Sequence, residues 1–223
     1  MKLPLSNRLA ACCSFVAPGD RVADIGCDHG YLGIYLLTKG IAESVIAADI
    51  NEGPLQSAVC NSEKFGVRDK MTFYLSDGVR NIPRDFDVLV CAGMGADTII
   101  SILEAASWLK GGQYRLILQC QSKTPMLRQY LSEQSWHIAE ESVLQDGKFL
   151  YTVMNVVWQP GQPLSAGECY FPPALTNNEY IAAYYGRVIK GLENIVLNQK
   201  EAADPFAVQA LEELRKKELP WQR

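Results

Sequence analysis

Apolar and polar positions change period repeatedly along this chain. Short runs of consecutive apolar residues alternate with stretches in which apolar residues recur every three or four positions. The runs at 21–26 (RVADIG), 44–50 (SVIAADI), 71–76 (MTFYLS), 86–92 (FDVLVCA) and 114–120 (YRLILQC) read as five buried strands. Helical spacing predicts helices over 6–15, 30–40, 53–65, 96–110 and 125–135. Leu5, Leu9 and Cys12 or Cys13 share a face of the first, Gly40 closes the second, and Ile99, Leu103 and Ala106 point inward from the fourth. Two further strand-like runs, near 136–144 and 149–158, are joined by Asp146-Gly147, a hairpin signal.

Repeated strand-to-helix steps predict an α/β fold with a doubly wound, Rossmann-like sheet. Its strands are mostly parallel, with helices on both faces. Ending on an antiparallel hairpin points to the class I S-adenosylmethionine-dependent methyltransferase arrangement rather than to a dinucleotide dehydrogenase. A Pro- and Gly-rich stretch over 159–175 reads as a linker. Beyond it, Ile181, Tyr185, Val188, Leu192 and Ile195 form one apolar seam, and Ala207, Leu211 and Leu214 a shorter one. Asp204-Pro205 marks the start of the second helix. The expected organisation is a methyltransferase domain over 1–160, then 161–223 as a linker and an antiparallel, coiled-coil-like helical hairpin. Such a hairpin either packs on the main domain, dimerises or binds substrate.

Composition narrows the class. The 223 residues are 48% hydrophobic and 21% charged, an ordinary globular balance, and no apolar run is long enough to span a membrane. Polar Ser6, Asn7 and Arg8 interrupt the N-terminus where a signal peptide would be apolar. The seven cysteines form no Cys-x-x-Cys pair and there are only two histidines, so metal-ligand spacing is absent. These features predict a reduced, cytoplasmic protein with no metal and no membrane association, either a monomer or a weak dimer. A net charge of −4 does not suit a generic nucleic-acid coat.

The candidate chemistry lies at the strand ends, where open α/β sheets bind ligands. Strand 1 delivers Asp24 and Gly26, strand 2 Asp49, strand 3 Asp77-Gly78, and strand 4 Gly93-Met94-Gly95. Asp49 is placed to accept from ribose hydroxyls and Asp77 from an adenine amino group; Asp24 either orients the loop or meets a ligand ammonium. The stretch ADIGCDHGYL (23–32) has Asp28 in the turn where a dinucleotide would lay its diphosphate. Two like charges 4 Å apart repel by about 4 kcal/mol at an effective dielectric of 20. A cationic sulfonium ligand suits that loop better. Each acid also has a plainer role: Asp49 as a helix cap, Asp77-Gly78 as a turn, Asp28 as a left-handed turn residue.

Asp24-Ile25-Gly26-Cys27-Asp28-His29-Gly30-Tyr31-Leu32 resembles motif I of the bacterial tRNA (adenine(22)-N(1))-methyltransferase family, TrmK. Leu5-Ser6-Asn7-Arg8-Leu9 and Ala92-Gly93-Met94-Gly95 resemble the same family. The likeness covers roughly residues 1–160 and continues less specifically into the helical tail. It implies methyl transfer from S-adenosylmethionine to N1 of an adenine in the D-arm region of tRNA, position 22 in that family. It also implies cofactor contacts from Asp24, Gly26, Gly30, Asp49, Asp77, Gly78 and Gly93, with Asp28, His29, Ile50, Asn51, Ala92 and Met94 beside them. Asp28 is the candidate for offsetting charge on the methylated base. Arg8, His29 and Gly95 are candidate tRNA contacts: Arg8 for a phosphate, His29 for base or phosphate, Gly95 for close approach of a flat base. Ala-Gly-Met-Gly lacks the proline-rich turn common in exocyclic-amine methyltransferases, which favours a ring nitrogen. A small-molecule or protein methyltransferase, or a non-catalytic adenosyl-ligand module, are the alternatives.

Overall fold

Strand β1 (Arg21–Ile25) is an inner strand, third from one edge, of a seven-stranded sheet in the computed structural model, which describes residues 3–176, 178–198 and 204–217. The sheet runs on through β2 (Ser44–Asp49), β3 (Met71–Leu75), β4 (Val88–Gly95), β5 (Arg115–Ser122), β6 (Trp136–Asp146) and β7 (Phe149–Trp158) in chain order. Its spatial order is β3-β2-β1-β4-β5-β7-β6. The first five strands are parallel, and β7 inserts antiparallel to both β5 and β6. The doubly wound sheet and the terminal hairpin are thus as the residue pattern predicts.

The strands read as unbroken apolar runs because both faces are covered. Side chains alternate across the sheet with period two. Ala23, Ile25, Ile46, Ala48, Leu89, Cys91, Leu116 and Leu118 join one core. That core is covered by α4 (Ala96–Glu104) through Ile99 and Leu103 and by α5 (Thr124–Glu133) through Leu127 and Leu131. The intervening Val22, Val45, Ala47, Val88, Val90 and Ile117 join the other. There they meet α1 (Asn7–Cys13) through Cys12 and Cys13, α2 (Tyr31–Thr38) through Leu32 and Leu36, and α3 (Glu52–Lys64) through Ala58. Ser6 caps α1, its hydroxyl accepting from the Leu9 N–H at 3.3 Å.

Three expectations need correction. Strand β4 does not stop at 92; it continues to Gly95 through two register shifts against β5, because a bulge at Gly93 lets the strand bend and resume pairing. Ala92-Gly93-Met94-Gly95 is therefore bulged strand. The helix expected over 96–110 ends at Glu104 and resumes as a 3₁₀ turn over Ser107–Leu109. The segment 159–175 is more than connecting chain. It contains α6 (Ala166–Tyr170), fixed by a reciprocal capping box in which Ser165 Oγ accepts from the Glu168 N–H and Glu168 accepts from the Ser165 N–H.

The C-terminal helices α7 (Ile181–Asn198) and α8 (Pro205–Lys216) pack with α6 and Val143 into a third apolar core. Asp204 caps α8 by accepting from the Phe206 N–H. This layer is bolted to the sheet by Arg128 of α5, which is fully buried. Its guanidinium forks onto Glu141 at 2.6 and 3.1 Å and donates to the Cys169 and Tyr170 carbonyls and to the Tyr184 hydroxyl at 3.0 Å. One arginine thus joins α5, β6, α6 and α7. No helix among the described residues is long and apolar enough to cross a membrane.

Candidate active site

The strand order reverses between β1 and β4, and the carboxyl ends of these neighbours open a crevice. The chain leaves β1 at Gly26, whose φ of +71° requires glycine. The N–H groups of Gly26 and Cys27 both donate to the Ala48 carbonyl, at 2.8 and 2.9 Å, which pins the loop to β2. Asp28 takes a left-handed conformation, φ 50°, and its N–H donates to Asp49 Oδ2 at 3.1 Å. Asp49 Oδ1 accepts from the Asn51 N–H at 2.9 Å. Asp49 is thus the brace between the β1 and β2 loops, while Asn51 occupies the cap position of α3. Gly30 opens α2 with its Cα turned to α3, where a side chain would lie 2.9 Å from Ala58 Cβ.

Two clefts meet over Gly26. The first, about 400 Å³, is lined by Gly26, Asp49, Ile50, Asp77, Gly78 and Met94, with Ser76 and Ser101. Ile50 is 63% exposed, an apolar plate beside two carboxylates. Ser76 shapes the Asp77-Gly78 turn, accepting from the Asn81 N–H at 3.0 Å and donating to the Gly78 carbonyl at 2.9 Å. The second cleft, about 340 Å³, is lined by Arg8, Asp24, Asp28, His29, Tyr31, Ala92, Gly93 and Gln121. The Met94 methyl sits over Gly26 where a side chain would have to go. Most of the expected site residues therefore converge on one crevice. Gly30, Asn51 and Gly95 line neither cleft; Gly95 lies against β5, where a side chain would crowd Ser122 Oγ at 2.9 Å.

Asp24 dominates the electrostatics. Its side chain is buried, and its Oδ2 has no hydrogen-bond partner. Burial, and then the charges of Asp49 and Asp28, raise its carboxyl to about 7 against the ordinary 3.8; the Gly33 N–H works in the other direction. An unsatisfied buried carboxylate costs free energy unless a donor or cation meets it. An ammonium in the second cleft would satisfy it, whereas a phosphate would add a further negative charge. Burial also holds the Cys13 and Cys91 thiols up at about 12, so neither is a thiolate at neutral pH. Among the described residues no cluster of His, Cys, Asp and Glu is placed to hold a metal ion.

Gly93 marks the floor of the second cleft. Its φ is +81°, and its N–H leaves the β4–β5 ladder to donate to Gln119 Oε1 at 3.0 Å. Arg8 Nη1 donates to the same oxygen at 3.2 Å. Arg8 is also held by Asp146 at 2.9 Å and lies over the Tyr151 ring at 5.5 Å. It reaches the cleft mouth already engaged on two sides. Gln119, fully buried, Gln121 and Tyr151 escaped the sequence reading. Polar residues interrupting the apolar run at the end of β5 were the available signal.

The comparisons with known proteins agree with this geometry. A family described as a methyltransferase domain matches residues 5–154. The Bacillus subtilis tRNA (adenine(22)-N(1))-methyltransferase is 33% identical over 154 residues, 69% of this chain and 65% of that enzyme's own length. The whole fold is shared with a Streptococcus pneumoniae structure, a candidate tRNA (m1A22) methyltransferase in complex with S-adenosyl-L-methionine. The identity is 30%, the TM-score 0.83, and 95% of this chain and 98% of that one are covered. This chain belongs to the TrmK methyltransferase family. The crystal structure of the B. subtilis TrmK covers 96% of this chain and 95% of its own at 29% identity, with a TM-score of 0.79, so the likeness to TrmK extends through the C-terminal helices.

Proposed function

We propose that this TrmK-family protein transfers a methyl group from S-adenosylmethionine to N1 of an adenine in tRNA, in the D-arm region and at position 22 as in its relatives. The observation that carries the proposal is Asp24, a buried carboxylate with an unpartnered oxygen beneath two joined acidic clefts. That environment suits a cationic donor bearing an ammonium and disfavours a diphosphate.

When bound, S-adenosylmethionine supplies a methyl group on a positively charged sulfur, open to direct attack. Asp24 holds the ammonium. Asp49, whose Oδ2 keeps a further lone pair after bracing the loop while Oδ1 accepts twice from Asn51, accepts from ribose hydroxyls. Asp77 accepts from the adenine amino group, and Ile50 covers the purine face. Gly26 and Gly78 let the Met94 and Ile102 side chains lie against the backbone, and Gly93 leaves room between Gln121 and Arg8.

Adenine N1 carries a lone pair, so no residue need remove a proton first. The chain's task is to present that nitrogen in line at about 3–3.5 Å. Asp28 lines the second cleft with its carboxylate exposed, and there it offsets the positive charge that develops on the methylated base. His29, 3.7 Å from Asp28 and lining the same cleft, contacts the target base or its phosphate in this reading. Arg8 has two N–H groups engaged and further donors of its fork for a backbone phosphate. The test is incubation with labelled methyl donor and, separately, unmodified tRNA, total cell protein and a small-molecule extract. Label is expected in tRNA. Label confined to protein or to small molecules would overturn the proposal in favour of another methyl acceptor.

A further inference from the structure

The second cleft, where the target base would meet Asp28, ends at Gln121, and the same residue lines a further, smaller cavity of about 190 Å³ between the end of β5, the start of β7 and α7. Its walls are aromatic: Phe149, Tyr151 and Tyr184. Gln121, Thr124 and Thr152 supply an amide and two hydroxyls, and Arg187 stands exposed at the rim. Phe149, at the hairpin tip, is 51% exposed although its ring meets Tyr151 at 6.2 Å, an open position for so large an apolar side chain. Each ring has a cation over it: Lys148 at 5.3 Å from Phe149, Arg187 at 5.4 Å from Tyr184, and Arg8 at 5.5 Å from Tyr151. The walls are fixed in place. Tyr184 is held by the buried Arg128, and the hairpin is tied to α1 by Asp146–Arg8 and by Asn7, whose amide donates to the Gln145 carbonyl at 2.9 Å.

We infer that this cavity is a second nucleobase site, which takes the base adjacent to the target adenine once the strand is unstacked. The inference rests on the tRNA reading above. Flat apolar walls with an amide and hydroxyls at their edges suit a base, and cations at the rim suit its flanking phosphates. Continuity through Gln121 places the site beside the cleft that receives the target, where the neighbouring nucleotide must go. An adenine inside a folded tRNA has to leave its stack to be methylated. A site for its neighbour supplies stacking in exchange for the stacking lost, which gives the protein a reason to expose Phe149.

The test is a cycle between protein and RNA. Phe149→Ala is an exposed change, and Phe149→Trp keeps a stacking face. The substrates are tRNA and two versions carrying an abasic nucleotide on one side or the other of the target adenine. Removing the base on one side should raise KM of the unmodified protein roughly tenfold, the scale of one lost stacking contact. Phe149→Ala should raise KM for intact tRNA to the same degree, and the abasic change should then cost nothing more. Phe149→Trp should restore wild-type KM, and affinity for S-adenosylmethionine should be unchanged throughout. Independent, multiplying losses at both flanking positions, or no loss at either, would overturn the second site while leaving tRNA methylation intact. Failure of the unaltered protein to methylate tRNA would overturn both readings.

Discussion

Asp24 sits where its carboxyl is least comfortable, and that discomfort has measurable consequences. With its pKa raised to about 7 from 3.8, the free protein favours the protonated acid. This group's contribution to stability is complete below about pH 4 and is lost as pH rises through 7. Chemical denaturation of the wild type and Asp24→Asn should therefore diverge between about pH 4 and 7, the wild type losing ground as pH rises. Cofactor binding has the opposite sign, because an ammonium needs the ionised form. Affinity for S-adenosylmethionine should rise about fivefold from pH 6 to 7 and level off above about pH 8, with proton uptake by buffer visible in calorimetry. Asp24→Asn should flatten that profile. Asp28 separates loop geometry from chemistry: Asn tolerates the same left-handed backbone. Asp28→Asn should bind cofactor normally yet lower kcat by about tenfold or more, as loss of one charge-stabilising contact does. Full activity in that variant would leave Asp28 as a turn residue alone.

Elements show which parts of the fold were legible in the chain and why. The five parallel strands could be read because burial on both faces leaves unbroken apolar runs, and the hairpin because Asp146-Gly147 has few other uses. Placement of the acids at strand ends followed from the same reading. The β4 bulge was hidden because Gly93 owes its conformation to Gln119 on another strand. Arg128 was hidden too: at helical spacing it looks like a surface charge, and its burial depends on Glu141, Tyr184 and carbonyls over 40 residues away in sequence. Arg128→Met leaves the Glu141 carboxylate buried and alone, so urea denaturation should register a loss of about 3–5 kcal/mol. Adding Glu141→Leu should recover most of it, and Tyr184→Phe alone should cost only about 1 kcal/mol. If the single and double variants were equally unstable, the pair would not be what joins the C-terminal layer to the sheet.

The molecule as a whole carries a net charge of −4 and a proposed polyanionic substrate. Those facts are compatible only if binding relies on a few local cations and on base contacts rather than on an overall basic field. The acids gather in the two clefts over Gly26, while Arg8 at the second cleft and Lys148 and Arg187 beyond it mark the path toward α7. tRNA affinity should accordingly fall with salt on a shallow slope, equivalent to about two or three phosphate contacts. Replacing Arg187 with Ala should reduce that slope by about one contact in filter binding. A salt-independent affinity would leave the cation-lined path without a role. The decisive measurement is nucleoside mass spectrometry of unmodified tRNA after incubation with the protein and S-adenosylmethionine, with the site mapped by primer extension. The expected result is 1-methyladenosine at one adenine of the D-arm region. N6-methyladenosine, a methylated base of another kind, or unmethylated tRNA would contradict transfer to adenine N1.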